Sequence, residues 1–252
     1  MELVVRNQAF SVDDAHPEFW HLLKSDKWEP ETLNVFDAYL DKDTVFVDVG
    51  AWIGPTSLYA ATKVKRVISI EADPEAISFL SANVKKNAKL VPNIEILHRA
   101  ISAHQGTLKL GSKGERGDSM SSALFQNSGD TWEVECITPE EIISRVRDDK
   151  KLFIKMDIEG GEYLLSASLH KFAERANTTL LVAFHPGFLP GNKVRRFLKS
   201  LILTRDIFKT FRGFSILRVE SQKTTRSFIL NLFHRLGFCF YPANDTFLFI
   251  KR

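Results

Sequence analysis

Five residues at the carboxyl ends of short apolar runs carry the chemistry legible in this sequence: Asp48, Glu71, Ala100, Asp157 and His185. The first run, Thr44 to Val49, reads TVFVDV and continues as GAWIGPT. Its apolar, β-branched residues suit a strand buried on both faces, and Pro55 suits the first turn of a following helix. Between them Gly50, Ala51 and Gly54 form a turn that lets backbone approach a ligand, while the helix start offers N–H groups without partners. The spacing is D-x-G-x-x-x-G, not the G-x-G-x-x-G of dinucleotide binders. A carboxylate at Asp48 repels a pyrophosphate but accepts hydrogen bonds from an ammonium. The amino-acid end of S-adenosylmethionine carries such a group beside its sulfonium charge. A glycine turn of this kind also serves purely structural ends, so the other strand ends must decide.

The second run, Arg66 to Ile70 (RVISI), ends in Glu71-Ala72-Asp73-Pro74. Glu71 lies about 20 residues beyond the glycine turn, the offset at which an acid meets ribose hydroxyls. A solvated strand end is the plainer alternative. Asp73 and Pro74 read as N-cap and first residue of a helix over 75–87. The fourth run, Leu152 to Met156, passes into Asp157-Ile158-Glu159-Gly160-Gly161-Glu162, and the fifth, Leu180 to Phe184, ends in His185-Pro186-Gly187. Of the seven histidines, His185 is the best placed to act as a base, and its ordinary pKa lies near neutrality. It equally suits a hydrogen-bonded residue that sets the turn after it. Asp157 can orient His185, bind a cofactor amine or ligate a divalent ion. Asp157, Glu159 and His185 together offer the donors of a magnesium site. Glu159 and Glu162 also sit where a helix dipole favours carboxylates, and Lys155 faces either an anionic acceptor or solvent.

At this point VFVDVGAWIG, ISIEADPEAISFLSANVKKN, the run from Leu97 to Leu108 and LFIKMDIEGGEYLL together resemble the FkbM-type S-adenosylmethionine-dependent methyltransferases. The likeness extends over about Trp28 to Pro186. One departure is Trp52, where the family often has Asn, a turn-former. The resemblance implies a Rossmann-like methyltransferase fold and methyl transfer, usually to a hydroxyl. It implies that Glu29, in the element before the first strand, covers the cofactor. It places Ala100 and Ile101 where related enzymes hold the adenine, and Ser119 in a loop facing cofactor or acceptor. The acceptor class it implies is a small molecule, a saccharide or a glycolipid. An N-methyltransferase is a second reading, although MDIEGG stands where amino-directed enzymes carry N/D-P-P-Y/F. A third is a cofactor-fold module that docks on a membrane or acidic partner without turnover.

Strands and helices alternate along the chain, so an α/β fold with a doubly wound, mostly parallel sheet is expected. At 252 residues it reads as one domain. Residues 1–43 form a helical cap with helices over 17–24 and 31–40, and 44–186 the cofactor-binding core, including a helix over 162–170. Residues 187–222 form a basic amphipathic insertion, and 223–252 a helix over 224–236 and a hairpin of 238–241 with 246–250. The insertion concentrates cations, among them Lys193, Arg195, Arg196, Lys199, Arg205 and Lys209, between apolar residues at helical spacing. It is either an ordinary helix packed on the sheet or a lid that meets an anionic acceptor or membrane surface. A net charge of +3 does not point to nucleic acid. Cys136 and Cys239 read as buried apolar residues of a reducing compartment. With no signal-peptide pattern and no membrane-length apolar run, a cytoplasmic protein is expected.

Overall fold

The computed structural model describes residues 1–87, 93–112, 117, 121–125, 130–148, 150–219 and 245–251. The chain opens on a hairpin of β1 (Glu2–Val5) and β2 (Gln8–Ser11). Arg6 and Asn7 turn it with φ of 46° and 67°, the positive values that two-residue hairpin loops require. The sequence points to a helical cap over 1–43; the structure corrects this by adding the hairpin before the two helices. Helices α1 (Pro17–Lys24) and α2 (Pro30–Tyr39) follow, each with Pro in its first turn.

The core runs β3 (Thr44–Val49), α3 (Pro55–Ala61), β4 (Arg66–Glu71), α4 (Pro74–Lys86) and β5 (Ile94–His98). A smaller sheet is built from β6 (Ala100–Ile101), β7 (Thr107–Ser112), β8 (Ser121–Ser122) and β9 (Asp130–Ile137). Then come α5 (Pro139–Ser144), β10 (Lys151–Met156), α6 (His170–Glu174), β11 (Thr178–Phe184), α7 (Lys193–Thr210), β12 (Phe214–Val219) and β13 (Asp245–Lys251). Thr138 and Glu141 close the capping box that starts α5.

The main sheet has the order β12-β13-β11-β10-β3-β4-β5 and is parallel except at β13, which runs antiparallel to both neighbours. Its central strands β3, β4, β10 and β11 are mainly apolar and buried because both faces are covered. Val47, Ile154 and Val182 enter one core, whereas Phe46, Phe153 and Leu181 enter a second with the N-terminal hairpin and cap helices. Asp48 and Lys155 alternate in phase with Phe46 and Phe153, so they face the cap. The direction of winding reverses between β3 and β10, the crevice at which doubly wound sheets bind ligands.

Two expected elements differ. Residues 162–170 are not one helix: a 3-10 turn at Gly161–Tyr163 precedes the short α6. The cause is Glu162, which turns inward to accept hydrogen bonds from the backbone N–H of Gly160 and His185. The basic insertion is helical only to Thr210, after which Gly213 (φ 92°) breaks the run and FSILRV pairs with β13 as an edge strand. The antiparallel pair at the C-terminus is thus β12 with β13. The expected helix 224–236 and strand 238–241, with Cys239, lie outside the described residues. Among the described residues no helix is long and apolar enough to cross a membrane.

Candidate active site

The turn after β3 is fixed from three sides. Gly50 has φ of 81°, and a Cβ there would lie 2.0 Å from the Asp157 carbonyl oxygen, so no other residue fits where β3 and β10 meet. The N–H groups of Gly50 and Ala51 both donate to the Ile70 carbonyl of β4. Gly54, at φ 95°, is the N-cap of α3, and its missing Cβ leaves room for Leu80. Between them Trp52 adopts φ of 49°, a left-handed conformation that costs about 1–3 kcal/mol in a residue other than Gly. The Asn expected from the resemblance would hold it with less strain. Here the indole compensates. Its Nε1 donates to the Gly117 carbonyl at 2.8 Å, and its ring meets Phe19 edge-on at 4.6 Å.

A cleft of about 440 Å³ opens above this turn, at the carboxyl ends of β3, β4, β5 and β10. Gly50, Trp52, Glu71, Ala72, Ala100 and Ile101 line one part of it. Leu108 and Leu110 of the smaller sheet and Asp157, Glu159 and Leu165 complete it. Glu71 is nearly buried and accepts hydrogen bonds from Ala72 and Asp73 N–H on Oε1, both at 2.8 Å, and from Trp52 N–H on Oε2 at 2.7 Å. A carboxylate has about four acceptor sites, so one remains for a ligand hydroxyl. Burial pushes its carboxyl above the ordinary range. Asp73 caps α4 and also holds Gly117 N–H and the Ser121 hydroxyl, which ties the long loop to the cleft. Ser119 of that loop lies outside the described residues.

A second cavity, of about 250 Å³, lies on the cap side of the same strand ends. Glu29 and Thr32 of the cap, Lys155, Asp157, His185 and Arg218 line it, together with apolar Met156, Leu181 and Ala183. Asp157 belongs to both cavities. It stands 3.3 Å from Lys155 Nζ through Oδ2 and 3.5 Å from His185 Nε2 through Oδ1. Burial pushes Asp157 up, yet Lys155 and His185 outweigh it and hold the carboxyl below the ordinary range. Lys155 is buried, and burial opposes its charge. Asp157, Asp48 and Glu29 nevertheless raise its pKa above that of an ordinary lysine.

His185 sits among carboxylates. Glu162, fully buried, places Oε1 at 3.3 Å from its Nδ1, and Glu159 places Oε2 at 3.7 Å from its Nε2. Burial works against the imidazolium, but Glu162, Asp157 and Glu159 lift the pKa to about 10. His185 is therefore protonated at neutral pH, which corrects the expectation of a free base. Burial pushes the Glu159 carboxyl up to about 7. Glu159 lines the cleft, and its left-handed φ of 51° carries a cost of the same order as for Trp52. One donor atom each from Asp157, Glu159 and His185 lies within 4.8 Å of the others, the set expected for magnesium. A hard cation gains only two carboxylate ligands from the trio, the third donor being an imidazole already set against the buried Glu162 at 3.3 Å. The donor set fits an ion-paired cluster better than a magnesium site.

The structure thus places Gly50, Glu71, Ala72, Ala100, Ile101 and Asp157 on the cleft, and Glu29 and His185 on the second cavity. Ala51 and Gly54 shape the turn without lining either. Asp48 also departs from expectation. It is fully buried beneath the cleft, where Oδ2 accepts from the Thr56 and Ser57 hydroxyls at 2.6 and 2.7 Å and Oδ1 faces Lys155 Nζ at 3.9 Å. It anchors the start of α3 and faces the buried lysine, and it does not line the cleft. Sequence reasoning missed Lys155 and Glu162 as members of the cluster. The one available signal was a lysine within an otherwise apolar strand.

A parallel sheet wound both ways, a glycine turn at the switch point and a cleft above it define a Rossmann-like methyltransferase fold. Residues 48–165, just under half of the chain, match the family model of the methyltransferase FkbM domain. Among solved structures, methyltransferase FkbM from Methylobacillus flagellatus superposes with a TM-score of 0.50 at 14% identity, covering 94% of this chain and 55% of that one. This chain thus spans just over half the length of that protein, and the likeness shows the fold alone. An rRNA methylase from Streptococcus thermophilus gives 0.48 at 11% identity, covering 87% and 93% of the two chains. A precorrin-6y C5,15-methyltransferase from Geobacter metallireducens gives 0.45 at 13%, covering 96% and 94%. No curated protein sequence matches the chain.

Proposed function

We propose that this chain is an S-adenosylmethionine-dependent O-methyltransferase that acts on a hydroxyl of a small molecule, saccharide or lipid-linked acceptor. The observation that carries this reading is the wall shared by the two cavities, built from Asp157 with His185 behind it. In the apolar cleft Ala100, Ile101 and Leu110 offer a flat surface to an adenine, and Glu71 keeps one acceptor site for a ribose hydroxyl. The cofactor supplies a methyl group already activated by the sulfonium charge, so the protein's work is alignment. An acceptor hydroxyl must also lose its proton. Glu159, with a pKa of about 7 and a place on the cleft wall, matches that task at neutral pH. The His185 imidazolium holds Glu159 and Asp157 in position. The second cavity mixes carboxylates and cations on one side with Met156, Leu181 and Ala183 on the other. That balance suits a polyhydroxylated acceptor with one apolar face.

The test is transfer from methyl-labelled S-adenosylmethionine to a panel of saccharides, glycolipids and amines, with the product mapped by mass spectrometry. Label on oxygen, lost in Glu159→Gln, supports the proposal. Label on nitrogen alone overturns the hydroxyl assignment, and failure to bind the cofactor overturns the whole.

A further inference from the structure

Helix α7 has two faces that the sequence pattern does not separate. The inner face, with Ser200, Thr204 and Ile207 buried and Phe208 against Phe247 and Phe249, packs on the sheet. The outer face carries Val194, Leu198 and Ile202, one helical turn apart, and these are 66%, 51% and 60% exposed. An ordinary surface helix turns its large aliphatics inward; a row of three pointing outward marks a contact surface. The same face carries Arg195, Lys199, Arg205 and Lys209, with Asp206 its one acid. Among the described residues no carboxylate pairs with Arg195, Lys199 or Arg205, while Lys209 meets Asp206 at 3.2 Å.

We propose that this outer face of α7 docks the protein on an anionic lipid bilayer. Aliphatic residues in a row, interleaved with unpaired cations, complement a surface that is apolar beneath and negative at its headgroups. A protein partner or a second copy of the chain would need acids on its side to meet Arg195, Lys199 and Arg205, and the outer face itself offers only Asp206. Docking also has a geometric consequence. Helix α7 contacts the Pro186–Phe188 turn, which directly follows His185, so the docked helix and the second cavity are joined through that turn. The inference stands apart from the methyltransferase reading, since it rests on the helix alone.

The test is co-sedimentation of the full chain with vesicles of phosphatidylcholine alone and of phosphatidylcholine doped with phosphatidylglycerol. Binding is expected to the doped vesicles only and to fall with added salt. Arg195→Gln with Lys199→Gln should weaken partitioning roughly 30-fold, taking about fivefold per cation near a negative membrane. Leu198→Asp with Ile202→Asp should abolish it, with the melting curve unchanged because both side chains are exposed. Equal binding to neutral and doped vesicles, no binding to either, or variants that bind as the wild type would overturn the proposal. So would a concentration-dependent dimer, seen in sedimentation, that Leu198→Asp dissociates, since the face would then join two copies.

Discussion

Glu162→Gln removes one negative charge from the most enclosed point of the ion cluster without changing its volume. In the native protein Glu162 accepts from Gly160 N–H at 2.9 Å and His185 N–H at 2.6 Å, and stands 3.3 Å from His185 Nδ1. The amide keeps one acceptor but turns an NH2 group against backbone donors, and it leaves the imidazolium short of its nearest counter-charge. Breaking one side of a buried ion pair costs about 3–5 kcal/mol. At about 2–4 °C per kcal/mol for a chain of this size, the melting temperature should fall by roughly 10 °C. The pH dependence carries a second signature. His185 has a folded-state pKa near 10 against an ordinary 6.5, so its contribution is fully present below about pH 6.5 and is lost as pH rises through about 10. A rise of that size corresponds to roughly 5 kcal/mol shared by the cluster. Wild-type stability should therefore decline over that window, and the variant's should be flatter. Thermal melts across this pH range, with the imidazole followed by NMR, measure both effects. A variant that melts within about 3 °C of wild type with an unchanged His185 titration would refute the reasoning.

Other consequences can be checked alongside. Gly50→Ala forces a methyl into the Asp157 carbonyl and a side chain into φ 81°, so it should cost more than about 2 kcal/mol in denaturant unfolding and abolish cofactor binding. Lys155→Met leaves Asp48 and Asp157 without their shared cation and should destabilise by about 3–5 kcal/mol; a neutral outcome would mean that both acids simply protonate. His185→Ala, which touches only the second cavity, should lower kcat severely while leaving S-adenosylmethionine affinity within about twofold in calorimetry. The rate should rise as pH passes through about 7, because Glu159 acts only when deprotonated, and Glu159→Gln should erase that limb of the profile.

Local signals in the sequence carried far. The capping box at Thr138–Glu141, the Asp73-Pro74 helix start and the buried strands β3, β4 and β11 depend on neighbours within a few residues, and they stand where the pattern put them. The strand ends that supply Glu71, Asp157 and His185 were legible for the same reason, whereas Ala100, expected at such an end, opens the short β6 of the smaller sheet. What the pattern hid depends on distant partners. Asp48 looked like a ligand for an ammonium, but burial under α3 and pairing with Lys155, across the β3–β10 register, took it out of the cleft. His185 looked like a base until Glu162, 23 residues earlier, reached its backbone and ring. The N-terminal hairpin also has a local signal, since Arg6-Asn7 sits between two short strand-like runs, but the stronger helical pattern over 17–40 dominates the cap.

The central claim is that the cleft above the Gly50 turn holds S-adenosylmethionine with Glu71 at its ribose. Calorimetric titration of the purified chain with S-adenosylmethionine, S-adenosylhomocysteine and NADH, repeated with Glu71→Ala, tests it most directly. The account predicts micromolar binding of the first two, none of NADH, and a loss of roughly tenfold or more in the variant. Absence of binding to the sulfonium compound and its thioether product, or an unchanged affinity in Glu71→Ala, would contradict it.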